Sequence, residues 1–206
     1  MTPWQVCKLS DLCEIISGPS GQQLEELSAE TDGIPVISPP DLTAENAVDA
    51  RSIRRVGPDV AAGLARFQLQ DGDLIYVRQG ALGRRAVVGP AEATWLFGAA
   101  CLRVRPQSGA ILPKYLLHYL GHPVVHEWIT SQANRGYAVD TVTSRTVAST
   151  PVFVPDLARQ RAVTGAMEEV GTQIQTHRRL IAKLEAIRPS LLTDLLGDAF
   201  DGLAAG

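Results

Sequence analysis

From Asp156 to about Leu196 the chain runs without a Gly/Pro cluster, broken only by single Gly165, Gly171 and Pro189. Steps of four and three residues from Val163 pick out Val163, Met167, Val170, Ile174, His177, Ile181, Leu184, Arg188, Leu191 and Leu195. Eight of these ten positions are apolar, and a stripe of that period held over more than four heptads marks a coiled-coil helix. A helix of about 40 residues is roughly 60 Å long, too long to be covered by one small domain. The chain has no second stretch of that length, so the partner helix is expected on another chain. His177 and Arg188 fall on the seam. They would either fix register or oligomer state, or swing to the edge of the seam, and the sequence leaves both open. Asp156 follows Pro155 as a natural N-cap. Pro189 is expected to kink or weaken the last turns, and the tail from 198 to 206 to fray.

Residues 1–155 have a different character. Hydrophobic residues make up 45% of the chain, enough for one ordinary core plus an extension. Trp4–Ile16 (WQVCKLSDLCEII) reads as a strand or turn entering a short helix, with Ser10 as N-cap. Ile34–Ser38, Arg66–Leu69, Asp73–Val77, Ala86–Pro90, Trp95–Pro106 and Pro151–Pro155 read as strands. Pro113–Leu120, with proline at the first turn, reads as a helix. The fold class expected is therefore a mixed α/β (α+β) globular domain over 1–155, then a long C-terminal coiled-coil helix over 156–197. No apolar run is long enough to span a bilayer, and Met1–Gly18 lacks the pattern of a signal peptide. Three cysteines, Cys7, Cys13 and Cys101, suit a reducing compartment, and a cytoplasmic location is expected.

The net charge of −3 conceals an asymmetry. Residues 1–50 hold one Lys against nine acids, a balance of −8, whereas residues 51–105 hold nine Arg against four acids, a balance of +5. Arginine is the side chain suited to bidentate phosphate and guanine contacts. The clusters that could meet DNA are Arg51, Arg54 and Arg55 in RSIRR, Arg78, Gln79, Arg84 and Arg85 in VRQGALGRR, and Asn134, Arg135 and Tyr137 in QANRGY. A solvated polar loop is the plainer reading of any one of them.

The stretch DGDLIYVRQGALGRR admits a catalytic reading, with Asp71 and Asp73 as metal-binding carboxylates, and a structural one, with Asp71-Gly72 as a hairpin-type turn and Asp73 capping the strand. The structural reading is the simpler. Gly80 and Gly83 belong to no phosphate-binding loop, since no Gly-Lys-Ser/Thr follows. His118, His122 and His126 are spaced as ligands on one helical face, but Pro123 interrupts them and no HExxH is present. Cys7, Cys13 and Cys101 form no CxxC pair and read as small core residues. No Gly-x-Ser-x-Gly elbow is present, so neither a metal nor a catalytic residue is expected.

Several segments in order resemble the DNA specificity subunit of type I restriction–modification systems. WQVCKLSDLCEIISG is similar to that family's opening, a Trp followed by Leu-x-Asp-Ile/Leu and Ser-Gly. GIPVISPPDL (Gly33–Leu42) is similar to its Gly-Ile-Pro segment. FQLQDGDLIYVRQGALGRRAVV is similar to the stretch in which a Gly-Asp-Ile/Leu strand leads to a Gly-x-x-Gly turn. PVFVPDLARQRAV is similar to the strand, Pro-x-Leu-x-x-Gln signature and spacer helix. It departs in carrying Asp156 for the usual second Pro and Arg159 for the usual Glu. The resemblance implies a non-catalytic half-subunit with one target-recognition domain and one spacer helix. It would pair with itself or with a second half through antiparallel helices and read a two-part site in double-stranded DNA. Its partners would be adenine methyltransferase subunits, which would bind the S-adenosylmethionine, and a restriction or translocating subunit. A coiled-coil assembly adaptor that does not read DNA is the competing reading.

Overall fold

The structure is a computed structural model that describes residues 5–20, 24, 32–133 and 140–196. The chain forms an α+β head followed by one long helix. The head is organised around strand β5 (Leu74–Val77), the LIYV run. All four of its residues are buried, as a continuous apolar run in a central strand requires. Side chains alternate across a strand, so Ile75 and Val77 enter one core cluster while Leu74 and Tyr76 enter another.

Strand β5 lies between β8 (Cys101–Pro106) and β6 (Arg85–Val87), and β2 (Cys13–Ser17) completes the antiparallel sheet in the order β2-β8-β5-β6. The first cluster packs this sheet against a smaller one, β4-β3-β7. In it β3 (Ile34–Ile37) pairs antiparallel with β4 (Arg55–Val56) and parallel with β7 (Leu96–Phe97). The second cluster covers the opposite face with two helices that each begin at a proline, α2 (Pro113–Leu120) and α3 (Pro123–Ser131). Two shorter helices, Pro58–Gly63 and Ser144–Ala148, complete the described head.

Four sequence expectations change here. Trp95–Pro106 is not one strand, since β7 and β8 lie in different sheets and a turn closed by the Cys101 N–H on Gly98 O separates them. Of the Trp4–Ile16 stretch, the described residues from Gln5 to Ile16 form no α-helix. Gln5–Lys8 is strand β1, a 3-10 turn spans Leu9–Asp11, and the apolar residues after it belong to β2. The capping group of that turn is not Ser10 but the Asp11 carboxylate, which accepts the Lys8 N–H at 2.9 Å. Arg66–Leu69 is not a strand, and Ala65–Phe67 is a 3-10 turn. Two arginines meet its carbonyl groups in place of a strand neighbour: Arg103 donates to Arg66 O and Gln68 O, and Arg105 to Gln68 O, each at 3.1 Å. The Asp71-Gly72 turn exists, with Gly72 at φ +86°, but it leads from that coil into β5 and joins no hairpin.

Strand β1 pairs antiparallel with β9 (Pro151–Val154), Val6 opposite Phe153. Tyr115 and Tyr119 of α2 donate their hydroxyls to Phe153 O and Pro151 O at 2.9 and 2.8 Å. The strand that launches the long helix is therefore held from two sides. That helix, α5, spans Leu157–Leu196. Asp156 caps it as expected, accepting the Arg159 N–H at 2.9 Å on its side chain and the Gln160 N–H at 3.0 Å on its carbonyl. The helix continues through Pro189, whose ring removes one N–H from the helical ladder. One compact unit runs Met1–Thr164 and the other Gly165–Gly206. The first two turns of α5 thus belong to the head, and the 198–206 tail lies outside the described residues.

Candidate nucleic-acid interface

The arginines counted as a basic centre fall into two populations. Five are tied to the fold. Arg103, 3% exposed, pairs with Glu14 at 2.7 Å. Arg105 grips Asp73 with two bonds of 2.7 Å. Arg85 donates to Leu117 O at 2.6 Å and Gly83 O at 2.8 Å, and lies so close over Gly121 that a Cβ there would overlap its guanidinium. Arg78 donates to Val142 O at 3.2 Å and Ala99 O at 3.3 Å. Arg55 donates to Gly33 O at 3.0 Å, closing the β3–β4 edge. These guanidinium groups are struts before they are ligands for anything else.

The remaining four face solvent. Arg51 is exposed but bound to Asp49, Nε to Oδ1 at 2.9 Å and a terminal nitrogen to Oδ2 at 2.5 Å. Those bonds hold the Asp49 carboxyl at about 2, and the pair's charge is largely neutralised. Arg54, Arg66 and Arg84 keep exposed guanidinium groups. Arg66 stacks over the Phe67 ring, 4.5 Å from its centroid, an arrangement that holds the charge outward. Arg54 stands beside Asp41, whose carboxyl burial pushes up and Arg54 draws partly back. Ser38, Pro40, Asp41, Asp49, Arg51, Ser52 and Arg54 line an open concavity of about 490 Å³.

Arg84 follows a turn that requires glycine. Gly80 and Gly83 have φ of +81° and +79°, and a Cβ on Gly83 would meet the His126 ring at 2.6 Å. The turn sets Arg84 at the surface and Arg85 inward on successive residues. Gln79, also exposed, bridges antiparallel to Thr141. It therefore stands where the chain emerges from the segment carrying Asn134, Arg135 and Tyr137, three candidates that lie outside the described residues.

The carboxylates and histidines take local structural parts. Asp73, 1% exposed, accepts the Gln70 N–H at 2.8 Å as well as both Arg105 bonds, which uses its acceptor positions as a cap and an ion pair. The device recurs: Asp11, Asp41 and Glu92 each close a turn by accepting the N–H three residues earlier. Asp71 is exposed. His122 caps α3, its Nδ1 accepting the Val124 N–H at 3.3 Å, while His118 lies on α2 and His126 lies against Gly83. Among the described residues no group of three or more His, Cys, Asp or Glu side chains could hold a metal ion. Burial pushes the Cys13 and Cys101 thiols up to about 12, away from the range of reactive thiolates.

Sequence reasoning did not single out Gln160. Its side chain is buried, its Oε1 accepts the Leu112 N–H, and its Nε2 donates to Ala110 O and Pro155 O, all at 2.8 Å. One amide thus joins the start of α5 to the loop before α2 and to the end of β9. The glutamine of the PDLARQ signature was the available signal, since a polar residue fixed three positions beyond a helix start is placed to bond backbone.

On α5 every seam position from Val163 to Leu195 is exposed, including Val163 at 44% and Leu195 at 81%. His177 and Arg188 are exposed with them. Leu180, Ile187 and Leu192 add further exposed apolar groups, so the stripe is broader than the strict four-three seam.

A family profile described as the type I restriction modification DNA specificity domain matches residues 1–186. The chain belongs to that family. Among solved structures, the chain is similar to one described under the structural basis of complex assembly and conformational transition of the type I R-M system, at 20% identity and a TM-score of 0.72, covering 97% of this chain and 46% of that one. It is also similar to the HsdS subunit from Thermoanaerobacter tengcongensis, at 17% identity and a TM-score of 0.69, covering 96% and 49%. The type I restriction–modification S subunit from M. genitalium follows at 12% identity and a TM-score of 0.59, covering 98% and 48%. The chain thus spans about half the length of the solved chains it matches. No curated protein sequence matches it. Among the described residues no helix is long and apolar enough to cross a membrane.

Proposed function

We propose that this chain is the sequence-reading, non-catalytic half-subunit of a type I DNA methyltransferase or restriction complex. The observation that carries this reading is the family match over residues 1–186, which takes in both the head and most of the long helix. In this reading the head binds double-stranded DNA and α5 joins it to a second head, so that the pair reads a two-part site whose halves lie a fixed distance apart. Adenine methyltransferase subunits dock on the assembly and bring the S-adenosylmethionine, and in a restricting system a translocating nuclease subunit joins them. The work is cytoplasmic, where the DNA is.

The exposed guanidinium groups of Arg54, Arg66 and Arg84 would neutralise phosphates and set the register of the head on the duplex. Gln79, Asn134, Arg135 and Tyr137 are the candidates for base edges, since amide and guanidinium groups suit adenine and guanine in the major groove. Arg55, Arg78 and Arg85 are instead engaged with backbone carbonyl groups inside the head.

Selection from a randomised duplex pool tests the reading, with the full chain alone and with the host's adenine methyltransferase subunit. Enrichment of one split motif, with affinity falling steeply as salt rises, is the expected result. Recovery of an unenriched pool in both arms would favour the assembly adaptor.

A further inference from the structure

The exposed stripe on α5 defines more than a partner; it selects one alignment. We infer that α5 pairs antiparallel with α5 of a second copy of this chain in a register centred between Ala182 and Lys183, fixed by a reciprocal Arg178–Glu185 ion pair and by an Arg188–His177 layer. The inference rests on the half-subunit reading and specifies its dimer.

The seam alternates between the positions of Met167, Ile174, Ile181, Arg188 and Leu195 and those of Val163, Val170, His177, Leu184 and Leu191. In an antiparallel pair a residue of the first set faces one of the second set across each layer, and sliding one helix by a heptad changes every partner. Two seam residues are polar, which makes the choice sharp. Centred at 182/183, Ile174 faces the partner's Leu191, Ile181 the partner's Leu184 and Leu195 the partner's Val170. Arg188 then faces the partner's His177, where a neutral imidazole nitrogen can accept from a guanidinium. One heptad step in one direction sets Ile181 against the partner's His177 and Arg188 against the partner's Val170. One step in the other sets Arg188 against the partner's Leu184. Only the central register matches polar with polar and apolar with apolar in every layer.

The flanking positions choose the same register independently. Residues one step after the second set meet their own kind across an antiparallel seam, and this edge holds Arg178 and Glu185, both exposed. In the central register Arg178 lies beside the partner's Glu185, twice per dimer by symmetry. The neighbouring registers bring Arg178 against the partner's Arg178, or Glu185 against the partner's Glu185, and both repel. On the opposite edge the central register sets Leu180 beside the partner's Ile187, which accounts for two large apolar groups that the seam leaves exposed. A parallel pair would stack Arg188 on the partner's Arg188 and would offer neither ion pair. In the central register the helical residues overlap over 169–196, and the two Thr164 positions stand about 37 residues, or roughly 55 Å, apart along the pair at 1.5 Å per residue. That distance is the ruler between the two heads.

The test uses two full-length variants, Arg178→Glu and Glu185→Arg, with native mass spectrometry and sedimentation for the stoichiometry and circular dichroism to show that both stay folded. Each alone places like charges together twice per dimer and is expected to weaken its homodimer about tenfold. Mixed, the two restore both pairs, so the heterodimer is expected well above its statistical half. A wild-type dimer whose two variants dimerise unchanged and mix at 1:2:1 would overturn the register while leaving the dimer intact. A wild-type chain that stays monomeric, or pairs only when a different protein is added, would overturn the second copy itself.

Discussion

The head and the long helix are built from similar side chains put to opposite use. In the head, Leu74, Tyr76, Leu102 and Leu116 have no exposed surface, and the arginines of β8 end on carboxylates and carbonyls. From Gly165 on, Val170, Ile174, Ile181, Leu184 and Leu191 are all about half exposed. At roughly 25 cal/mol per Å² of apolar surface, a stripe of that length is a substantial binding free energy left unused within the chain. The first region is a finished core; the second is half of one. Gln160, in the turns of α5 that belong to the head, has a buried amide that the head's backbone satisfies.

The sharpest way to break this contrast is Ile181→Asp. It would bury a carboxylate at the centre of the pair, and the dimer should weaken more than 100-fold while the head's unfolding transition stays where it was. Sedimentation and thermal unfolding read the two halves separately. Gln160→Ala strikes the head instead. It leaves the Leu112 N–H and two carbonyl groups without their partner, and should cost the head about 3 kcal/mol in chemical denaturation.

A finer contrast lies within the head, at Arg84 and Arg85. Arg85→Ala should lower stability by about 1–3 kcal/mol through the lost carbonyl contacts and leave the salt dependence of DNA binding unchanged. Arg84→Ala should leave stability within about 0.5 kcal/mol and reduce the salt slope by about one. The smallest effect is one of pH. Burial pushes Cys13, Cys101 and Tyr76 up to about 12, from ordinary values of 9.0, 9.0 and 10.0. The unfolded chain loses these protons first, so head stability should fall as the pH rises from about 9 toward 12. The segment after Gly165 contains no Cys or Tyr, so its helicity should not follow that titration.

Local pattern disclosed some of this and not the rest. The heptads, the Asp156 cap, the β5 run and the proline-led α2 are written in residues a few positions apart, and all were legible. Helix α3 was missed because Pro123 reads as a break in the preceding helix, whereas it starts a new one capped by His122. The charge count of residues 51–105 was correct, but its meaning was hidden. Whether an arginine reaches outward depends on partners far along the chain, Glu14 for Arg103 and Leu117 for Arg85. No window of sequence contains those contacts. The resemblance that the motifs gave extends to the family, while any contact with a base would depend on loop geometry that the motifs do not encode.

The most direct measurement is a single-molecule map of N6-methyladenine across the host genome, with and without this gene. The account predicts that deletion removes methylation at one split motif, and that two copies of the same head make that motif palindromic. A host that expresses the protein yet shows the same methylome in both states would contradict it.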